Sequence, residues 1–334
     1  MTAIETTYRD ALRQALIDAM HEDPSIFIMG EEVGLYGGAY GVTKGLLDMF
    51  GENRVVDTPI AEAGIIGAAI GAAMTGSRPV AELMYVDFAG LTMDQVANQA
   101  AKSRYMFGGQ IGVPMVLRTQ GGTGRSAAAQ HSQSLEAWFT HVPGLRVAMP
   151  ATVNDAYHLL RMALTCPDPA IFIEHKGLYV RKGEMDVAKP DGVWGKSVVR
   201  RTGTDVTIVA YSKMLHESLA AAESLAQDGV ESEVIDIRTL NPLDDETIFA
   251  SVARTGRAMV VSEAPMTGGF AAEISARISE RCFEHLEEPV IRVAGEDIPI
   301  PLSPLLERAA VPSAQSIAEA GLWLVKRIAP SWAV

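Results

Sequence analysis

The segment DTPIAEAGIIGAAIGAAMTG, residues 57–76, contains a long uncharged run of small and apolar residues. From Ala63 to Thr75 the stretch consists of Gly, Ala, Ile, Met and Thr, with no charged residue. A helix of such small residues lets neighbouring backbones approach closely, which predicts that it is buried on most sides. One carboxylate, Glu62, stands at the head of this run. It is either a helix cap, since acids favour the first helical turn, or a proton-exchanging acid that faces a cleft.

Short apolar segments alternate with helical ones on both sides of this stretch. The alternation predicts an α/β fold with a parallel sheet and helices on both of its faces. Ligands of such sheets bind off the carboxyl ends of the strands. Four segments follow strands and are therefore expected to line one edge: Glu31, Glu62, residues 84–88 and the loop 121–134. The predicted strands are 25–30, 54–59, 78–88, 114–120, 145–151 and 170–176, and the predicted helices are 6–20, 42–50, 89–105 and 152–165.

A second alternation of strands and helices begins at residue 205 and predicts a smaller α/β domain. Residues 177–204 are polar and are predicted to be irregular, as expected of a connection between domains. We therefore predict a first domain over 1–185, a linker over 186–203 and a second domain over 204–334.

Length and composition restrict the class of protein. The chain has 334 residues, which favours two domains over one core. The net charge of −13 argues against nucleic-acid binding, which needs clustered Lys and Arg. No apolar run is long enough for a membrane span. Two distant cysteines, Cys166 and Cys282, fit a reducing compartment, and we expect a cytoplasmic protein without a metal site built on Cys.

The short motifs carry little chemistry by themselves. The turn GGTG at 121–124 is a weak phosphate-binding signal, and the chain has neither a G-x-G-x-x-G after its first strand nor a Walker-type loop. His131 lies in a loop rich in Gly, Ser and Ala, where an isolated histidine is more often a surface residue than a catalyst. Phe88 is by default a core aromatic, and it becomes a stacking platform only if a flat ring binds nearby.

Several longer motifs follow one another along the chain. In the first domain they are GEEVG at 30–34, GVTKGL at 41–46, residues 57–73, ELMYVDFAG, KSRYMFGGQ, AAAQHSQSLEAWFTHVPGL at 127–145 and IFIEHKGLY at 171–179, and in the second domain LNPLDDETI, VVSEAP and IPIPLSP. Together they resemble the β subunit of thiamine-diphosphate-dependent 2-oxo acid dehydrogenases, and the resemblance runs nearly the whole length. ELMYVDFAG, KSRYMFGGQ and AAAQHSQS are most similar to the acetoin dehydrogenase branch, whereas pyruvate and branched-chain members usually carry Gln at the position of Met84.

The resemblance implies a thiamine-diphosphate-binding parallel-sheet domain followed by a transketolase C-terminal-like α/β domain. It also implies roles for particular residues. Glu62 would hydrogen-bond a ring nitrogen of the cofactor's aminopyrimidine, and Phe88 would stack on that ring. His131 would orient the substrate and exchange protons as the acyl group moves to a lipoyl dithiolane. The pocket around the ring would be lined by Glu31, Ile60, Ala61 and Met84.

The family holds the diphosphate and its magnesium on an α subunit, through a Gly-Asp-Gly motif that this chain lacks. The resemblance therefore implies half of a cofactor site. The partners would be an α subunit, in a tetramer of two α and two β chains, a lipoyl acyltransferase core and a small-molecule substrate, with no nucleic acid and no membrane. Three alternatives stay open: a pyruvate or branched-chain 2-oxo acid dehydrogenase β subunit, the C-terminal half of a split transketolase, and a non-catalytic scaffold subunit.

Overall fold

The structure is a computed structural model, and it describes residues 3–188 and 193–329. Contacts between residues divide the chain into two compact units. The first contains Met1–Gly121 and Trp138–Trp194, and the second contains Gly122–Ala137 and Gly195–Val334. Up to Met185 the elements are β1 (Ile4–Thr7), α1 (Tyr8–Glu22), β2 (Ile26–Gly30), α2 (Leu46–Phe50), β3 (Val55–Asp57), α3 (Glu62–Met74), β4 (Arg78–Leu83), α4 (Ala101–Met106), β5 (Val116–Gly121), α5 (Glu136–Thr140), β6 (Arg146–Ala148), α6 (Val153–Thr165), β7 (Ala170–His175) and β8 (Lys182–Met185).

The first unit is built on a parallel sheet in the order β6-β7-β5-β4-β2-β3. Helices α1 and α6 pack against each other over one core, which includes Leu12, Leu16 and Leu160 from the helices and Ile28 and Val80 from the strands. Helix α3 packs on β4, and its buried residues lie outside this core. The sheet therefore carries helices on both faces, as the alternation of elements predicts.

The second unit has its own sheet of five strands: β9 (Val198–Arg201), β10 (Val206–Ala210), β11 (Ser232–Asp236), β13 (Ala258–Pro265) and β14 (Ile291–Gly295). The order of the strands is β14-β13-β10-β11-β9. Its strands are parallel except β9, which pairs antiparallel with β11 at the edge. A parallel-sheet domain followed by a second α/β domain confirms the predicted fold class. The other elements of this unit are α7 (Lys213–Gln227), β12 (Thr239–Asn241), α8 (Asp245–Thr255), α9 (Phe270–Arg281), α10 (Pro304–Ala309) and α11 (Ala314–Lys326).

The prediction that residues 177–204 are irregular is wrong in two places, because they contain β8 and β9. Both are edge strands, where one side of each strand faces solvent and charged residues are tolerated. Arg200 of β9 pairs with the Asp236 carboxylate at 3.1 Å, and β8 pairs with β1. Within the predicted linker 186–203, residues 189–192 lie outside the described part of the chain.

The helix predicted over 89–105 is not a single α-helix. The chain forms a 3-10 helix over Val86–Leu91, a π-helical segment over Asp94–Ala100 and only then α4. Hydrophobic periodicity does not distinguish these forms, because it reports which residues face the core and not which carbonyl each amide reaches.

The expectation that α3 is buried on most sides is also wrong within this chain. Its buried residues, among them Ile65, Ile66 and Ile70, lie on one face, whereas Ala63, Gly64, Ala68 and Gly71 are exposed. An apolar composition predicts that a helix is covered, but it does not say whether the same chain or another chain covers it.

Candidate active site

The loop after β2 is held in place by a carboxylate from the neighbouring strand. β2 and β3 run in parallel with Gly30 opposite Asp57, so that Asp57 lies beside the start of this loop. The Asp57 carboxylate accepts hydrogen bonds from the backbone N–H groups of Gly34, at 2.6 Å, and Leu35, at 3.2 Å. Glu32 has a left-handed φ of 56°, a conformation that needs such support.

Glu31 is the first residue after β2 and is only 7% exposed. Burial raises the pKa of its carboxyl group, and the nearby carboxylates of Glu62 and Glu82 raise it further. Glu62 is the first residue of α3 and is partly buried, without a side-chain capping bond from the residue before it. Glu82 lies in β4 directly opposite Gly30. The edge of the sheet therefore holds three acids, and the pKa of one of them, Glu31, is raised.

The remaining predicted pocket residues surround the same edge of the first unit. Ile60 and Ala61 precede α3 and are exposed, with Ile60 at 78%. Met84 directly follows β4, and its carbonyl accepts a hydrogen bond from the Gln120 side chain. Phe88 is partly buried and meets Tyr85 edge-on, with ring centroids 5.8 Å apart. The first unit thus gathers acids, apolar side chains and an aromatic ring at the ends of β2, β3 and β4.

A fully buried ion network joins side chains of the neighbouring strands β4, β5 and β7. The guanidinium of Arg118 bridges the carboxylates of Glu82 and Glu174, with one Glu174 bond at 3.0 Å. The Tyr179 hydroxyl donates to the Glu174 carboxylate at 2.5 Å, and its oxygen lies 3.3 Å from the Gln120 side-chain oxygen. Buried charges are stable only when paired and hydrogen-bonded, as they are here.

Sequence reasoning missed this network and the Asp57 contact. A signal for the network was present in the sequence: three segments, RPVAEL, MVLRTQ and AIFIEH, each carry a charged residue directly after a run of apolar ones. Charged residues in central strands are rare unless they pair with each other. The Asp57 contact gives no such signal, because it depends on how the loop folds back onto β3.

His131 belongs to the second unit, and its loop is closed by a hydrogen bond from Gly122 N–H to the Gln133 carbonyl at 2.9 Å. The histidine side chain is partly buried. Its backbone N–H donates a hydrogen bond to the Ala128 carbonyl at 3.3 Å. Beside the loop is a cavity of about 480 Å³. Its lining includes Ser132, Ser134, Glu263, Asp297 and Ile300.

Two further properties bear on the class of site. Over 3–188 and 193–329, no group of three or more His, Cys, Asp or Glu side chains is arranged to hold a metal ion. Over the same ranges, none of the helices is both long and apolar enough to cross a membrane.

Comparisons with known proteins agree with this architecture. Residues 5–182 match the family model of the transketolase pyrimidine-binding domain, and residues 195–317 match that of the transketolase C-terminal domain. A solved structure described as a split-gene transketolase, an inactive β4 tetramer, superposes with a TM-score of 0.77 over 97% of this chain and 99% of its own. The sequence identity is 23%, so this likeness shows the fold. Fold and site therefore define a chain of the transketolase type.

Relatives at higher identity define the family more narrowly. The β-2 subunit of a mitochondrial pyruvate dehydrogenase E1 component from Oryza sativa is 46% identical, over 98% of this chain and 88% of its own length. The β subunit of an acetoin:2,6-dichlorophenolindophenol oxidoreductase from Cupriavidus necator is 45% identical, over 93% of this chain and 94% of its own length. The subunit of the same name from Bacillus subtilis is 42% identical, over 95% of this chain and 96% of its own length. This chain belongs to the family of E1 β subunits of 2-oxo acid and acetoin dehydrogenases.

Proposed function

We propose that this chain is the β subunit of a thiamine-diphosphate-dependent acetoin or 2-oxo acid dehydrogenase. It would act with an α subunit, in an assembly of two α and two β chains, and pass an acyl group to a lipoyl-bearing acyltransferase. Its relatives with 41–46% identity over nearly the full length support the general role. The cytoplasmic location stays a prediction.

The observation that carries the proposal is the pair of acids Glu31 and Glu62 at the edge of the first sheet. An aminopyrimidine offers both donors and acceptors of hydrogen bonds, so it requires both types of partner. A protonated carboxyl group donates a hydrogen bond, whereas an ionised one only accepts, and the raised pKa of Glu31 shifts this acid towards the donating form. The partly buried Phe88, in the segment that follows β4, offers a flat ring for stacking. These residues fit the pyrimidine end of the cofactor.

Bound thiamine diphosphate supplies a nucleophilic carbon and an electron sink for cleavage of the bond next to a carbonyl. Glu62 would hold or release a proton at the pyrimidine ring nitrogen. Ile60, Ala61 and Met84 would exclude water around it. His131 would orient the substrate and exchange protons during acyl transfer. We assign the diphosphate and magnesium to the α subunit, as the family resemblance implies.

Acetoin is the proposed substrate, because the motifs around Met84, Tyr105 and His131 are most similar to the acetoin branch. Pyruvate is the second candidate. It is favoured by the pyruvate dehydrogenase β subunit at 46% identity, which is as similar as the acetoin relative at 45%. Identity alone therefore does not separate the two substrates.

The test is co-expression of this chain with an α chain from the same genome, followed by dye reduction with acetoin, pyruvate and 2-oxoisovalerate. We expect the largest kcat/KM with acetoin. A larger value with pyruvate would support the second candidate, and a preference for 2-oxoisovalerate would contradict the acetoin assignment.

A substitution at Glu62 distinguishes a catalytic subunit from a non-catalytic scaffold subunit. Glu62→Ala should lower kcat by about 100-fold or more, the usual contribution of a positioned acid or base. Glu52→Ala, which changes an exposed glutamate nearby, is the matched control and should retain wild-type activity. Activity of the Glu62→Ala complex close to wild type would favour the scaffold reading.

A further inference from the structure

The loop that carries His131 has an unusual backbone. Gly122 and Gly124 have left-handed φ angles of 80° and 93°, which glycine adopts readily. Ser126 and Ala128 also have left-handed φ angles, of 50° and 61°, which side-chain-bearing residues rarely adopt. Such a conformation persists only where surrounding contacts enforce it.

A buried carboxylate enforces it here. Glu307 accepts hydrogen bonds from the backbone N–H groups of Gly124, at 2.9 Å, and Ser126, at 3.1 and 3.2 Å. A second carboxylate, that of Glu263, accepts from Thr123 N–H at 2.5 Å and lies 3.8 Å from the Lys213 ammonium. Hydrogen bonds to an ionised acceptor are among the strongest in proteins.

Helix α10 contributes little else to the interior. Glu307 is only 3% exposed and is the buried residue of this helix, whereas Leu305, Leu306 and Arg308 are exposed. A glutamate is among the residues least often buried without a partner. Its burial on an otherwise exposed helix is therefore explained by its bonds to the loop and not by apolar packing.

We propose that Glu307, assisted by Glu263, is a positioning residue for His131. The carboxylates fix the turn Thr123–Ser126, and the bonds from Gly122 to Gln133 and from His131 to Ala128 tie that turn to the histidine. The inference rests on the proposed function, because His131 is taken to act on the substrate. Beyond the proposed function, the inference is that the activity of His131 depends on Glu307, which lies more than 170 residues from the His131 loop in sequence.

The functional test is a double-mutant cycle in the assembled complex. Glu307→Ala should lower kcat by about tenfold to 100-fold, because small misplacements of a catalytic group have effects of that size. In a His131→Ala background the same substitution should change kcat by less than about twofold. Glu307→Gln, which retains one acceptor oxygen, should restore part of the loss. Glu280→Ala, an exposed glutamate on α9, is the matched control and should leave kcat unchanged.

A second measurement does not depend on activity. In hydrogen–deuterium exchange of the assembled complex, peptides covering 122–135 should exchange at least about tenfold faster in Glu307→Ala than in wild type or Glu280→Ala. Equal losses of kcat with and without His131, or unchanged exchange over 122–135, would overturn the proposal. If the wild-type complex turned over none of the three substrates, the proposed function would fail, and the exchange result would still decide whether Glu307 holds the loop.

Discussion

At the scale of single residues, Arg118 and its two glutamates form a buried ion network in the first unit. Arg118, Glu82 and Glu174 are between 0% and 4% exposed. Removing the arginine leaves two carboxylates without a counter-charge in a medium that solvates charge poorly.

Arg118→Met should therefore lower the free energy of unfolding by about 3–5 kcal/mol, the usual cost of breaking a buried ion pair. Thermal and urea unfolding of the purified chain measure this loss. Arg281→Met, which changes an exposed arginine at the end of α9, is the control and should leave stability almost unchanged. An Arg118→Met protein as stable as wild type would mean that the network carries no net stability.

Glu31 makes stability depend on pH. The pKa of its carboxyl group is raised in the folded state, mainly by burial and then by Glu62 and Glu82. The folded state thus holds this proton more tightly than the unfolded state. When pH rises above the pKa of about 4.3 that glutamate has in the unfolded chain, the unfolded state releases the Glu31 proton first. Between this pKa and the raised pKa of the folded state, an increase in pH therefore lowers the free energy of unfolding.

Glu31→Gln removes this penalty. The difference between the thermal unfolding midpoints of Glu31→Gln and wild type should increase as pH rises above about 4.3, and it should level off once pH exceeds the raised pKa of Glu31. Glu52→Gln, at an exposed site, should show no such trend. A difference between Glu31→Gln and wild type that stays constant over the whole range would contradict the assignment.

At the scale of secondary-structure elements, α3 presents a face that residues 3–188 and 193–329 of its own chain leave exposed. Ala63, Gly64, Ala68 and Gly71 are exposed on it, and exposed apolar patches often mark contacts with another protein. In the proposed assembly the α subunit is the natural chain to cover this face, which would also enclose Glu62.

Ala68→Glu tests that role. The side chain points to solvent in the isolated chain, so the thermal midpoint of the chain alone should change by little. Assembly with the α subunit should be lost, because a charge would be buried at the contact. Size-exclusion chromatography with light scattering measures both species.

Ala220→Glu places the same charge on the exposed side of α7 and serves as the control. We expect it to assemble normally. Normal assembly of the Ala68→Glu chain would show that α3 does not contribute to the interface.

At the scale of the whole molecule, the proposed active site is divided between chains. In the proposed function, Glu31, Glu62 and Phe88 would bind the pyrimidine end of the cofactor, and the diphosphate would be held by an α subunit. We therefore expect no binding of thiamine diphosphate by the isolated chain in titration calorimetry with magnesium present.

The complex with the α subunit is the positive control and should bind the cofactor under the same conditions. Micromolar binding by the chain alone would contradict the division of the site.

The sequence by itself determined the α/β fold of both domains, because alternating strands and helices leave few other ways to bury their apolar faces. It also determined which strand ends hold Glu31, Glu62, Met84 and Phe88, since the carboxyl ends of parallel strands meet at one edge. Family membership followed from long collinear motifs, which are far more specific than single residues.

Only the tertiary structure decided which distant side chains meet. The pairing of Arg118 with Glu82 and Glu174 depends on strand order, and the contact of Glu307 with the His131 loop joins segments more than 170 residues apart. The exposure of one face of α3 was likewise beyond the sequence. Periodicity records which side chains avoid water, whereas packing alone decides what covers them.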